Sequence, residues 1–151
     1  KILREDGRGL ISIKGQASSL AAAQLNLDKS FQTGGHQVVY AALGDEEQSP
    51  GIIDQLKGVP FLIVQASHYS KLTSIADIVL PVETWAEQEG HFLNIEGRLQ
   101  KSNKSLSAPE NVWSNEGIFK ALAAYLGIGA KCRANWRENL DQGTYTKLFT
   151  N

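Results

Sequence analysis

The sequence predicts an α/β fold, a mostly parallel sheet flanked by helices, and three observations predict it. Three short apolar runs, "QVVYAALG" (37–44), "PFLIVQAS" (60–67) and "DIVLPV" (77–82), are punctuated by glycine, proline and polar residues. Uninterrupted runs rich in β-branched residues suit strands buried on both faces, as parallel strands are. Helix signals stand between the runs, and the whole alternation fits into about 45 residues, which argues for short right-handed βαβ crossovers.

In chain order, "GLISIKG" (9–15) reads as a short strand and "SSLAAAQLNL" (18–27) as a small-residue helix, with Ser18 or Ser19 as N-cap. "QTGGH" (32–36) is a turn. After the first long apolar run, "DEEQSPGIIDQLKG" (45–58) predicts a short helix with Ser49 as N-cap, Pro50 at its first position and Gly58 closing it. "YSKLTSIA" (69–76) predicts two helical turns, and Pro81 is expected to end the third strand. "KSNKSLSAPEN" (101–111) is loop-like. "PENVWSNEGIFKALAAYLGIG" (109–129) has helical spacing from Val112 to Leu126, with Gly127 or Gly129 as terminator. Residues 131–151, with Trp136, Leu140, Tyr145, Leu148 and Phe149, read as a helix and a docking tail. The resulting architecture is three-layer and Rossmann-like. Ligands in such sheets bind beyond the carboxyl ends of the strands, here 44–47, 66–69 and 81–84.

The 151 residues are expected to form a single α/β domain. A net charge of −1 with a pI near 6.3 supplies no electrostatic reason for nucleic acid or an anionic membrane as partner. No apolar stretch reaches the length of a membrane span. Cys132 is the sole cysteine, so neither an internal disulfide nor a cysteine-rich metal or iron–sulfur site is expected here. The chain starts "KILRED" and contains no methionine, which reads as a processed chain or an internal piece of a longer one.

No phosphate-binding glycine loop and no nucleophile elbow appears. His36, His68 and His91 sit on expected loops without close-spaced ligand partners, so no metal site is expected. His68 lies at a strand end, where a ligand contact competes with an ordinary exposed loop histidine. Asp45-Glu46-Glu47 is read as the solvated start of a helix before a ribose or metal contact. Cys132 lies beside Lys131 and Arg133 but is read as an ordinary thiol, and Trp85, Trp113 and Trp136 as packing anchors.

The densest stretch is "EGHFLNIEGRLQ" (89–100). Gly90 and Gly97 suggest positive φ or close backbone approach, Asn94 a local cap, and Glu87, Glu96 and Arg98 charge-assisted bonds. Catalysis there would have to fall to Glu87 or His91. The reading is therefore an irregular loop pinned in place, with no catalytic residue, and Arg98→Ala is expected to lower thermal stability.

Together with its upstream neighbour, this stretch carries a resemblance. "TSIADIVLPVETWAEQEGHFLNIEGRLQ" (73–100) resembles a pattern of the third domain of the molybdopterin oxidoreductase superfamily. The matching positions are Ala76, Asp77, Val79, Leu80, Pro81, Ala86, Glu87, Gly90, Phe92, Asn94, Glu96, Gly97, Arg98 and Gln100. "VVYAALGDEEQSP" and "FLIVQAS" are similar to the superfamily's flanking strands and loop. The closest resemblance is to the G-type large iron–sulfur subunit of NADH:quinone oxidoreductase, respiratory complex I. It implies an excised domain acting as scaffold and interface in electron transfer from NADH to quinone. No cofactor is expected in this piece, and iron–sulfur clusters are implied elsewhere in the parent chain. The implied partners are other subunits of the respiratory complex, with no nucleic acid and no direct membrane insertion. The implied place is cytoplasmic, peripheral to the inner face of the plasma membrane.

The resemblance also implies a second reading, the pterin-dinucleotide domain of a molybdenum or tungsten enzyme such as a formate dehydrogenase. Molybdopterin guanine dinucleotide would then lie on Gly44, Asp45, Ser67, His68 and His91. The chain departs from that pattern. Ala66 to Leu72 stand where such enzymes carry an Asp and a Thr-Glu-Thr-like run, Gly90-His91 replaces Gly-Thr, and Gly44 to Glu47 replaces Gly-x-Asn-Pro.

Overall fold

The computed structural model describes residues 18–29, 31–45, 47–94 and 97–128. Their elements are α1 (Ser19–Gln24), β1 (Val38–Ala42), α2 (Pro50–Leu56), β2 (Phe61–Ala66), a 3-10 turn (Thr73–Ile75), β3 (Ile78–Pro81), β4 (Gly90–Leu93), β5 (Leu99–Ser102) and α3 (Asn115–Tyr125). The chain divides into two compact units. The described residues 31–89 and 103–128 belong to one, and 18–29 and 90–102 to the other. The expected strand at 9–15, the expected segment 131–151 and Cys132 lie outside the described residues.

The larger unit is the expected parallel sheet. β1, β2 and β3 lie in that order, with Val38 opposite Phe61 and Ile63 opposite Ile78. One face carries Val39, Leu62, Val64 and Ala66, which close with Ile53 and Leu56 of α2 and with Leu72 into a buried core. At about 25 cal/mol per Å² of apolar surface, burying each of the valine, leucine and isoleucine side chains is worth roughly 1.5–3 kcal/mol. On the other face Tyr40 stacks at a tilt on Phe119 of α3, ring centroids 5.8 Å apart. Helices therefore lie on both faces of the sheet, which makes the three layers.

Asp77 clamps the start of the β2–β3 pair. Its N–H donates to the Leu62 carbonyl at 2.9 Å, and its carboxylate accepts the Leu62 N–H at 2.7 Å. Pro81 ends β3 opposite Ala66. Beyond it, Val82 makes a single parallel bridge to Trp113.

Local chemistry departs from the expected helices in three places. Residues 69–76 form only the 3-10 turn: the Thr73 hydroxyl accepts the Ser70 N–H at 2.8 Å and donates to the Ser70 carbonyl at 2.8 Å, closing the segment after one turn. α3 begins at Asn115 instead of 109, because Ser114 is its N-cap and accepts the Gly117 N–H at 3.1 Å. α2 starts at Pro50 as expected, but its last residue is Leu56 and Gly58 takes no positive φ. Gly127, at φ 65°, terminates α3.

The smaller unit contains α1 and a hairpin. "EGHFLNIEGRLQ" is mostly regular structure: β4 and β5 pair antiparallel, Gly90 opposite Ser102 and Phe92 opposite Gln100. The expectation of an irregular loop is corrected accordingly. Regularity arises because the chain turns back on itself within five residues. The Asn94 N–H donates to the Arg98 carbonyl at 3.1 Å, the Asn94 side chain accepts the Arg98 N–H at 2.8 Å, and Gly97 supplies φ 78°. Ser18 stands at the start of α1, yet its hydroxyl caps nothing there; it accepts the Leu93 N–H at 3.3 Å and ties the helix to β4. Leu20 and Leu93 form the buried core of this unit.

Candidate functional site

The carboxyl ends of the three parallel strands converge on Asp45. Leaving β1, the chain passes Leu43 and Gly44 and presents the Asp45 carboxylate toward its neighbours. One oxygen accepts the Ser67 hydroxyl at the end of β2, and the other accepts the Trp85 N–H, beyond β3, at 3.0 Å. His68 Nδ1 lies 2.9 Å from Ser67 Oγ and 3.9 Å from the same Asp45 oxygen. The Ser67 hydroxyl thus lies between the Asp45 carboxylate and the His68 imidazole, and which partner donates at Nδ1 depends on the tautomer. One carboxylate thus crosslinks all three strand ends.

Beside it is a cavity of about 270 Å³ lined by Leu43, Gly44, Asp45, Glu47, Ala66, His68, Tyr69 and Ser70. Its charged lining consists of the carboxylates Asp45 and Glu47 with the imidazole of His68; among the described residues no lysine or arginine lines it. A second cavity, of about 490 Å³, lies along α2 and includes Lys57 and Lys71. Lys57 there pairs with Asp54 at 2.8 Å.

Directly beneath the strand ends runs a chain of amides, buried at Gln65 and half-buried at Asn115 and Gln88. Gln65, on β2, is fully buried. It accepts the Tyr40 hydroxyl and donates to the Asn115 side chain at the start of α3. Asn115 donates to Gln88 at 3.1 Å, and Gln88 donates to the Glu83 carbonyl at 3.1 Å. Burial raises the Tyr40 pKa above that of an ordinary tyrosine, because the phenolate would be poorly solvated. Within the same turn Thr84 and Glu87 form a reciprocal box. Glu87 Oε2 accepts both the Thr84 N–H at 2.9 Å and its hydroxyl at 3.0 Å, while the Glu87 N–H returns to the Thr84 carbonyl.

Of the sequence-identified residues, the structure brings Gly44, Asp45, Ser67 and His68 together. His91 does not join them within that unit: it lies on β4, opposite Lys101, in the other one. Glu87 is tied into its own turn. Arg98 is exposed and enters the hairpin through its main chain, and Gln100 lies on β5. Gly90 takes no positive φ, and a Cβ there would meet the Phe92 ring at an ordinary 3.4 Å. Glu96, like Glu46, lies outside the described residues. Sequence reasoning missed the Gln65–Asn115 link. Its one signal was a lone amide inside the apolar run "FLIVQAS".

Chemically, the cluster is suited to holding more than to reacting. The Ser67 hydroxyl donates to the Asp45 carboxylate, which in turn accepts the Trp85 N–H, so the cluster joins three connections. Among the described residues no group of three or more His, Cys, Asp or Glu side chains is placed to hold a metal ion, and no helix is long and apolar enough to cross a membrane.

The comparisons with known proteins agree on one lineage. The alpha subunit of F420-dependent formate dehydrogenase 1 of Methanococcus maripaludis is 38% identical over 87 residues, 58% of this chain. The G-type subunit of NADH-quinone oxidoreductase is 28% identical over 127 residues in Rickettsia prowazekii and 30% identical over 127 residues in Rickettsia conorii, each match covering 84% of the chain. The chain spans only 13% of the length of the first and 18% of the length of the other two. A family model described as molybdopterin oxidoreductase matches residues 2–125. With the parallel sheet and its strand-end cluster already in place, that match establishes that the chain belongs to the molybdopterin oxidoreductase family.

Proposed function

We propose that residues 1–151 are a domain of a longer, G-type NADH-quinone oxidoreductase subunit, and that this domain is scaffold and interface rather than a reacting centre. The observation that carries the reading is coverage. The resemblance to the G-type subunits runs through 84% of the chain, whereas that to the formate dehydrogenase subunit stops at 58%. The parent protein would take part in electron transfer from NADH to quinone, with other subunits of a respiratory complex as partners. Its place would be peripheral to the inner face of the plasma membrane.

The strand ends favour this reading on physical grounds. A pterin dinucleotide carries a diphosphate, and the carboxylates of Asp45 and Glu47 in this cavity disfavour it, the nearest lysines, Lys57 and Lys71, lining the adjoining cavity instead. The Asp45 carboxylate is also spent on Ser67 and Trp85. The residues present therefore fit such a group poorly.

A second reading, a pterin-dinucleotide domain with Gly44, Asp45, Ser67 and His68 as contacts, is favoured by the higher identity, 38%, to the formate dehydrogenase subunit. Molybdenum, tungsten and pterin analysis of the purified parent protein separates the two. The expected result is no stoichiometric metal or pterin. One molybdenum or tungsten per chain overturns the scaffold reading.

A further inference from the structure

The phenol of Tyr40 and the amides of Gln65, Asn115 and Gln88 form one continuous row that ends on the Glu83 carbonyl. It joins β1, β2 and the first residue of α3 to the turn at 83–88. Gln65 is fully buried and the other three are half-buried, so a partner lost within the row is poorly replaced by water.

The order of donors along this row is not free. A carboxamide accepts on one side and donates on the other, so turning any one of them reverses what its neighbours must offer. A main-chain carbonyl can only accept. Glu83 therefore requires the Gln88 NH2, at 3.1 Å, and leaves the Gln88 oxygen for Asn115, at 3.1 Å. The Asn115 oxygen then takes the Gln65 NH2, and the Gln65 oxygen takes the Tyr40 hydroxyl, which must donate. One carbonyl sets the direction of every bond in the row.

That carbonyl belongs to the turn that closes the strand-end cluster. The same turn holds the Thr84–Glu87 box and the Trp85 N–H, which Asp45 accepts at 3.0 Å. At its other end the row starts from Tyr40, whose ring lies 5.8 Å from that of Phe119 on α3. We infer that the row is a one-way relay, a conformational device that holds the 83–88 turn against Asp45 only while it runs from Tyr40 toward Glu83. Reversal at any amide withdraws the Gln88 donor from Glu83 and releases Trp85. Asn115, which joins the sheet to the turn, is the positioning residue on which the direction hinges.

Amide hydrogen exchange on the full-length protein tests this, read as the Trp85 rate relative to that of Val64. Val64 lies within β2 and reports opening of the sheet as a whole. A carboxylate in place of the Asn115 amide can only accept, so Asn115→Asp draws the Gln88 NH2 away from Glu83. Negative charge also suits the N-terminus of α3, so the helix is expected to stay formed. The relative Trp85 rate is expected to rise about fivefold, the worth of one hydrogen bond. Asn115→Ala removes the same two bonds without demanding a donor and is expected to leave the relative rate unchanged. Gln88→Glu cannot donate to Glu83 and is expected to raise it as Asn115→Asp does, which keeps the test decisive if Asn115→Asp fails to fold. An unchanged relative rate in either folded carboxylate variant, or an equal rise in Asn115→Ala, overturns the relay.

Discussion

Asn94 and Arg98 show how a motif position can act through its backbone. Both belong to the pattern that marks the chain's family, and the charged residue is the conspicuous one in sequence. In the hairpin, however, the Arg98 group bonded to Asn94 is its N–H, which any non-proline residue supplies. Asn94→Ala is therefore expected to cost about 1 kcal/mol and Arg98→Ala clearly less, which a pair of urea denaturation curves would resolve. The loss of stability expected for Arg98→Ala is thereby made the smaller of the two. Equal losses would return the role to the guanidinium.

Tyr40 offers a pH-dependent test at the same scale. Its folded pKa is raised by burial, so the native state keeps the phenolic proton where the unfolded chain has lost it. Stability contributed by neutral Tyr40 is fully present below about pH 10, the ordinary tyrosine value, and is lost as pH rises through the folded pKa. Tyr40→Phe is expected to flatten this alkaline decline. The variant should also cost roughly 1–3 kcal/mol near neutrality, because the buried Gln65 oxygen loses its donor. Guanidinium titrations at two pH values check both parts.

At the scale of elements, one helix start, that of α3, is set by a single side chain. Ser114 sets the start of α3 by accepting the Gly117 N–H, while Ser18 at α1 spends its hydroxyl on a strand. The two serines look alike in sequence; only tertiary position separates cap from crosslink. Ser114→Ala is expected to destabilise the chain by about 1 kcal/mol, measurable as a fall in Tm. The three parallel strands were legible because continuous apolar runs between glycines and prolines have few other uses in a globular chain. The segment 69–76 has the sequence of two helical turns but forms only a 3-10 turn, since helical propensity does not register Ser70 and Thr73 hydroxyls closing a turn on themselves.

For the whole molecule, the cluster around Asp45 ties together strand ends that are far apart in sequence. Asp45, Ser67 and Trp85 come from three separate connections, so truncating the carboxylate should loosen all three together. Asp45→Ala is expected to lower stability by about 1–2 kcal/mol and to raise amide exchange at Trp85, which loses its acceptor. The same variant should leave the hairpin amides of the other unit unchanged, and exchange read residue by residue separates the two effects. Gly44, Asp45, Ser67 and His68 were legible as a group from one rule, that parallel sheets gather loops at their carboxyl ends. The use of Asp45 was not legible, because nothing in "GDEEQ" tells an acidic helix start from a crosslink.

The sequence by itself determined the parallel α/β sheet, the order of its strands along the chain, the ends of the candidate cleft and the family. All of these follow from local periodicity, punctuation and a dense motif. The tertiary structure alone decided the hairpin of "EGHFLNIEGRLQ", the Gln65–Asn115 chain beneath the strand ends and the commitment of Asp45. Each depends on a partner distant in sequence or on the register of pairing. Propensity acts over a few residues, whereas a hydrogen bond across 50 residues exists only once the sheet has brought its ends together.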